Sequence, residues 1–201
     1  MGIRFLVAVI LILVSFSSAF ANSMQLRDDQ IATINSVSAY LKSFGTMQGH
    51  FVQVAPNGGQ SEGEFWIRRP GFMRFEYAAP EKLLIIADGL WVGVIDQKIK
   101  QTADRYPLSE TPLSFILSDD PDIMKKTDVV DFFYEPGNLM ISMADKTSEA
   151  KGVLTMVFGG DDLQLKSWTI TDPQGRQTTI HITNLEVNKH VPGDKFALHR
   201  Y

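Results

Sequence analysis

The stretch at residues 63–80, GEFWIRRPGFMRFEYAAP, constrains this chain more than any other. Two runs rich in aromatic and β-branched residues flank Arg69-Pro70-Gly71. Proline fixes φ there and glycine accepts the turn geometry, so the sequence reads as strand, tight turn, strand. Strand side chains alternate with period two, which sends Met73, Phe75 and Tyr77 to one face and Phe72, Arg74 and Glu76 to the other. The first face is apolar. Arg69 stands at its rim, where a guanidinium needs carbonyls or carboxylates to satisfy its five donors.

Turn chemistry divides the rest of the chain into similar pieces. Residues 28–43 carry Ile31, Ile34, Val37 and Leu41 at helical spacing, with Asp28 or Asp29 as N-cap and Gly45 as the stop. From Met47 the period becomes two, and Asn57-Gly58-Gly59 makes a hairpin turn. Beyond Ala79-Pro80-Glu81 the expected strands are 83–87, 90–95 and 99–103, and after a break 129–134, 139–144, 153–158, 163–171 and 177–187. Residues 111–117 interrupt the series. Thr111 is the expected N-cap and Pro112 the first helical position of a short helix that Leu113, Phe115, Ile116 and Leu117 make apolar nearly all round, as suits a plug over an apolar concavity. A further helical turn is expected at residues 123–126. About eleven strands joined by short turns predict a mainly β fold: one antiparallel sheet curled into an open half-barrel, its concave face covered by short α-helices. No repeat or linker divides residues 22–201, so one domain is expected.

Several function classes find no support. The net charge of -4 is scattered, with no basic patch for nucleic acid. There is no cysteine and no Gly-x-Ser-x-Gly elbow, and His50, His181, His190 and His199 accompany no signature serine or acid pair, so no catalytic residue is assigned. Asp119, Asp120 and Asp122 lack the glycine and distal glutamate of a calcium loop and read as helix-end caps, so neither metal nor cofactor is expected. Residues 1–21, with Arg4, an apolar run over 5–14 and Ala19-Phe20-Ala21, read as a secretory signal peptide cleaved before Asn22. Methionines at 47, 73, 140, 143 and 156 suit either a gap-filling core or a cavity that adapts to variable chains.

A set of landmarks runs through the mature length: Phe51-Val52-Gln53, Gly63-x-Phe65-Trp66-x-x-Arg69-Pro70-Gly71, Asp88-Gly89 before Leu90-Trp91, Gln101-Thr102, Thr111-Pro112-Leu113 and Lys195-Phe196. In order and spacing it resembles the LolA family, periplasmic carriers that ferry lipoproteins from the inner to the outer membrane of Gram-negative bacteria. The resemblance implies an acyl-chain cavity lined from Met73, Phe75, Trp91, Phe115, Phe51 and Trp66, and a lid helix containing Pro112, Leu113, Ile116 and Leu117. It also implies that Arg69 latches the lid by hydrogen bonds to its backbone carbonyls, while Arg68 reads as a surface residue. The implied partners are lipoproteins, an inner-membrane ABC transporter complex of the Lol system, and an outer-membrane acceptor lipoprotein or the outer membrane itself, with the carrier a monomer. Val94 and Ile95 depart from the family, which often carries aromatics there. Two other classes stay open: an envelope-stress sensor of lipids or lipoproteins with the same fold, and an envelope hydrolase.

Overall fold

A computed structural model describes residues 24–98, 103–147, 152–160 and 162–200. The signal-peptide reading and most of the strand expected at 99–103 lie outside them. After helix α1 (Asp28–Lys42) come β1 (Thr46–Val54), β2 (Gln60–Arg68), β3 (Phe72–Tyr77), β4 (Leu83–Asp88), β5 (Trp91–Asp96) and β6 (Asp104–Pro107). A 3-10 turn and two one-turn helices, α2 (Leu113–Ile116) and α3 (Ile123–Lys126), follow. The chain then forms β7 (Thr127–Glu135), β8 (Asn138–Asp145), β9 (Val153–Gly159), β10 (Gln164–Thr171) and β11 (Gln177–Val187).

All eleven strands join one antiparallel sheet in the order β6-β5-β4-β3-β2-β1-β11-β10-β9-β8-β7. Two meanders therefore meet where the first strand pairs the last, with Phe51 opposite Ile182 and Gln53 opposite Ile180. The edges are β6 and β7, consecutive in sequence, so the segment carrying α2 and α3 passes from one edge of the open sheet to the other.

The hairpin of β2 and β3 forms as the sequence dictates, with Arg68 opposite Phe72 and the Arg69-Pro70 peptide bond cis. Gly71 has φ +83°, and a Cβ on it would stand 2.8 Å from the Cα of Gly89, so this turn packs directly on the turn between β4 and β5. Two helix caps differ from those expected. The N-cap of α1 is Arg27, whose N–H donates to Gln30 Oε1, and Asp28 and Asp29 occupy the first turn instead. The N-cap of α2 is Pro112; Thr111 closes the preceding 3-10 turn through its hydroxyl bond to the Leu108 carbonyl. Among the described residues the strand beside β5 runs from Asp104.

Both sheet faces bury apolar residues. On the concave side Ile34, Val37 and Leu41 of α1 pack with Phe51, Phe65, Met73, Phe75, Met143, Met156 and Trp168 into the main core. On the convex side Leu198 joins Leu84, Ile86 and Ile95 in a second, smaller cluster. The C-terminal segment reaches it by crossing β1 to β5: Thr46 donates to the Lys189 carbonyl, Phe196 packs on Phe72, and Leu198 fills the space that Gly93 leaves.

Candidate functional site

Arg69 joins the sheet to both parts of the helical cover. It follows the last residue of β2, and its N–H donates to the Gly45 carbonyl at 2.8 Å. Its Nε donates to the Ile116 carbonyl of α2 at 2.8 Å. Its Nη1 donates to the Leu41 carbonyl of α1 and, at 3.4 Å, to the Phe44 carbonyl just beyond it. The guanidinium also lies 5.0 Å from the centre of the Phe44 ring. The C-terminal carbonyls of a helix lack intrahelical donors and carry partial negative charge, so a cation placed against two helix ends satisfies what both leave open. Burial lowers the Arg69 pKa to about 10, which keeps it charged at any neutral pH. Beside it, the Gly71 N–H donates to the Leu117 carbonyl at 2.9 Å.

The cover is also tied to itself. Ser38 on α1 accepts the Ile123 N–H of α3 at 3.2 Å within the core. Lys42 meets Asp120 at 2.6 Å and Asp122 at 3.6 Å, and Asp122 caps α3 by accepting the Lys125 N–H.

A cavity of about 200 Å³ opens between α2 and the concave face. Met73, Phe75 and Trp168 are its buried floor, and half-buried Leu113 of α2 stands on its rim. Its polar part is Gln53, Tyr77 and Thr178. The Tyr77 hydroxyl donates to Gln53 Oε1 at 2.6 Å, and burial raises the Tyr77 pKa to about 12, so the phenol is neutral.

Four expected lining residues fall elsewhere. Trp66 lies between Phe65 and Ile67, which face the concave core, so strand alternation turns it to the convex side, where Lys195 Nζ sits 3.6 Å from its ring centre. Trp91 is likewise out of phase with Val92, which enters the concave core, and remains 43% exposed. Phe51 is on the correct face but one layer away, its ring against Phe75 and Tyr77. Phe115 faces a separate crevice of about 20 Å³ with Met143 and Leu154. Within the expected lid, Ile116 and Leu117 are buried, while Pro112 borders the same small crevice as Phe115. Arg68 is no free surface cation: its guanidinium stacks on Phe72 and Phe196 and pins the C-terminal segment.

Gln53, Tyr77, Trp168, Ile170 and Ile180 line the cavity outside the expected set. For two of them period-two alternation was a usable signal, since Tyr77 shares a face with Met73 and Phe75, and Gln53 with Phe51. The other three come from β10 and β11, and only the pairing of β1 with β11 brings them near.

A half-barrel with an apolar cavity under a short helical cover, the cover hydrogen-bonded to an arginine at a hairpin turn, defines a class of proteins built around an enclosed concave face. Residues 42–199 match the profile of the family described as "Outer membrane lipoprotein carrier protein LolA", and the chain belongs to that family. Curated relatives named outer-membrane lipoprotein carrier protein include one from Alkalilimnicola ehrlichii, 26% identical over 84% of this chain and 80% of its own length. Another, from Methylococcus capsulatus, is 26% identical over 90% of this chain and 86% of its own. Among solved structures, a DUF1329 family protein from Desulfovibrio piger shares the fold with a TM-score of 0.50 at 12% identity, covering 85% of this chain and 98% of its own. A LolA superfamily protein from Nitrosomonas europaea aligns with a TM-score of 0.46 at 8% identity, covering 84% of this chain and 97% of its own.

Proposed function

We propose that this protein is a periplasmic carrier that takes the acyl chains of lipoproteins into its concave cavity and moves them from the inner to the outer membrane. The observation that carries the reading is the apolar cavity beneath a cover held by Arg69, in a chain whose curated relatives are named lipoprotein carriers. Burying an acyl chain yields roughly 0.8 kcal/mol per methylene, so one chain of a lipid anchor left in water costs on the order of 10 kcal/mol and demands a carrier. The Arg69 bonds oppose that gain, because they must break before the cover lifts, and a ligand held less tightly can be handed on. Loading by an inner-membrane ABC transporter complex of the Lol system and delivery to an acceptor lipoprotein or to the outer membrane complete the reading. Met73, Phe75 and Leu113 are the chain-contacting residues in this scheme, and Arg69 is the latch.

The test is recovery of the mature protein from periplasm followed by mass spectrometry of what comes with it. Triacylated or diacylated protein N-termini in molar proportion to the carrier are the expected result. Recovery free of acylated cargo, together with no saturable uptake of a fluorescent fatty acid, would sink the proposal.

A further inference from the structure

The cavity of the proposed carrier is apolar except at one place, and that place has hydrogens to give. Tyr77 and Gln53 together have three polar hydrogens, one on the phenol and two on the amide. Their mutual bond uses one, whichever way round the amide is set. Among the described residues no other acceptor meets Gln53 Nε2, yet no buried side-chain nitrogen or oxygen lacks a partner. The amide nitrogen is therefore accessible, on a residue that lines the cavity. Gln53 and Thr178 are half-buried on the rim, whereas Tyr77 lies below them with its ring against Phe51. An apolar tail inserted over Phe75 and Trp168 thus has hydrogen-bond donors waiting where it leaves the apolar lining.

We infer that Gln53, oriented by Tyr77, is a specificity-determining donor that reads the carbonyl at the head of an acyl chain, so that the cavity prefers ester- or amide-linked chains to plain alkyl chains. This rests on the carrier reading above and adds the chemical group recognised. The orientation matters: the Tyr77 hydroxyl engages the amide oxygen, which leaves the Nε2 side for the ligand. Free fatty acids, acylglycerols and the acylated N-terminus of a lipoprotein all present such a carbonyl. A hydrocarbon or an alkyl ether of equal length offers at most a weak acceptor.

The experiment is displacement of a fluorescent fatty acid from the mature chain by a dioctanoyl glycerol diester and by the dioctyl glycerol diether. The diester is expected to bind about fivefold more tightly, the fold-change of one net hydrogen bond. In the double variant Gln53→Leu with Tyr77→Phe, which removes both partners together, that ratio is expected to fall to about one. Gln53→Glu retains an acceptor for Tyr77 while replacing the donor with a second acceptor, and it too should abolish the preference; it serves if the double variant fails to fold. Equal affinity of the wild type for both lipids, or an unchanged ratio in the variants, overturns the polar subsite and leaves the carrier reading intact. Failure of both lipids to displace the probe from the wild type overturns both readings.

Discussion

Replacing Arg69 by leucine should open the cover without unfolding the sheet. The guanidinium donates to the carbonyls of Ile116, Leu41 and Phe44, the last bond long at 3.4 Å. Hydrogen bonds to a charged group contribute about 1.5 to 3 kcal/mol each. Against them stands the desolvation that lowers the pKa to about 10, a cost on the order of 3 kcal/mol. With two good bonds and one weak one the balance is about 2 kcal/mol in favour of closure, or a shift of roughly 30-fold in the open-to-closed ratio when it is lost. Leucine leaves the strand pairs of β2 and β3 untouched. Hydrogen exchange should therefore quicken about 30-fold at the Gly71 amide, whose bond to the Leu117 carbonyl breaks as the cover lifts, and stay unchanged in β2, while fluorescent fatty acid uptake tightens. Transfer from loaded carrier to acceptor membranes should fall. Lysine at the same position should restore closure only in part, because one ammonium lacks the planar fork that reaches carbonyls on two helices. Equal exchange in wild type and Arg69→Leu, or loss of protection throughout the sheet, would refute the latch.

Other outcomes follow from single contacts. Gly63→Ala places a Cβ 2.0 Å from the Glu76 carbonyl oxygen, a backbone atom of the paired strand, and should cost about 3 kcal/mol or more in urea denaturation. Leu198→Ala empties the Gly93 hollow on the convex face and should cost about 2 to 5 kcal/mol, with fatty-acid affinity retained because the cavity is on the other face. Ser38→Ala leaves the Ile123 N–H without its acceptor, should cost about 1 to 3 kcal/mol, and should loosen α3 selectively in hydrogen exchange. Tyr77 carries a pKa raised to about 12 by burial. The folded state keeps this proton where the unfolded chain has lost it, so its contribution is fully present below about pH 10 and falls as pH climbs toward 12. Tyr77→Phe should flatten that alkaline loss in a pH series of urea midpoints.

What the sequence discloses about this fold is its local chemistry. Asn57-Gly58-Gly59 and Arg69-Pro70-Gly71 fix two hairpins because their φ angles suit few other residues, with Gly58 at +81° and Gly71 at +83°. Arg69 stood out as a charge at the edge of an apolar face, and it is the residue that touches both helices. Tryptophans misled, since their size suggests a lining role while the face each occupies depends on register alone. A shift of one residue puts Trp66 and Trp91 on the convex side, and no local signal in β5 separates Trp91 from Val92. The pairing of β1 with β11 joins residues more than a hundred positions apart and leaves no trace in a window of ten residues. For the same reason the contribution of Trp168 and Ile180 to the cavity was hidden. Convex burial by Phe196 and Leu198 is a second apolar layer, which an alternating pattern read as one wet face does not disclose.

The closed cover and the size of the cavity bear on how cargo enters. At about 200 Å³ the cavity lies below the roughly 300 to 1,000 Å³ of ordinary ligand sites, so under the proposed function a diacylated anchor requires the cover to move. Because Ser38 ties α1 to α3 and Lys42 ties α1 to the loop before α3, the helices are joined to one another as well as to Arg69. Their bonds to the hairpin are few: those of the Arg69 side chain and its N–H, and that of the Gly71 N–H. Breaking that set frees the cover from the hairpin, at a net cost near the 2 kcal/mol reckoned for the arginine plus about 1 kcal/mol for each neutral bond, while the Leu165 N–H bond to the Tyr40 hydroxyl and the core packing of Ile34, Val37 and Leu41 still hold α1 to the sheet. At roughly 0.8 kcal/mol per methylene, burial of about five methylenes offsets such a cost. In the proposed carrier a longer acyl chain gains more from burial than release from the hairpin costs, and what limits its handover is the part of that gain which reclosure of the cover over the empty cavity returns.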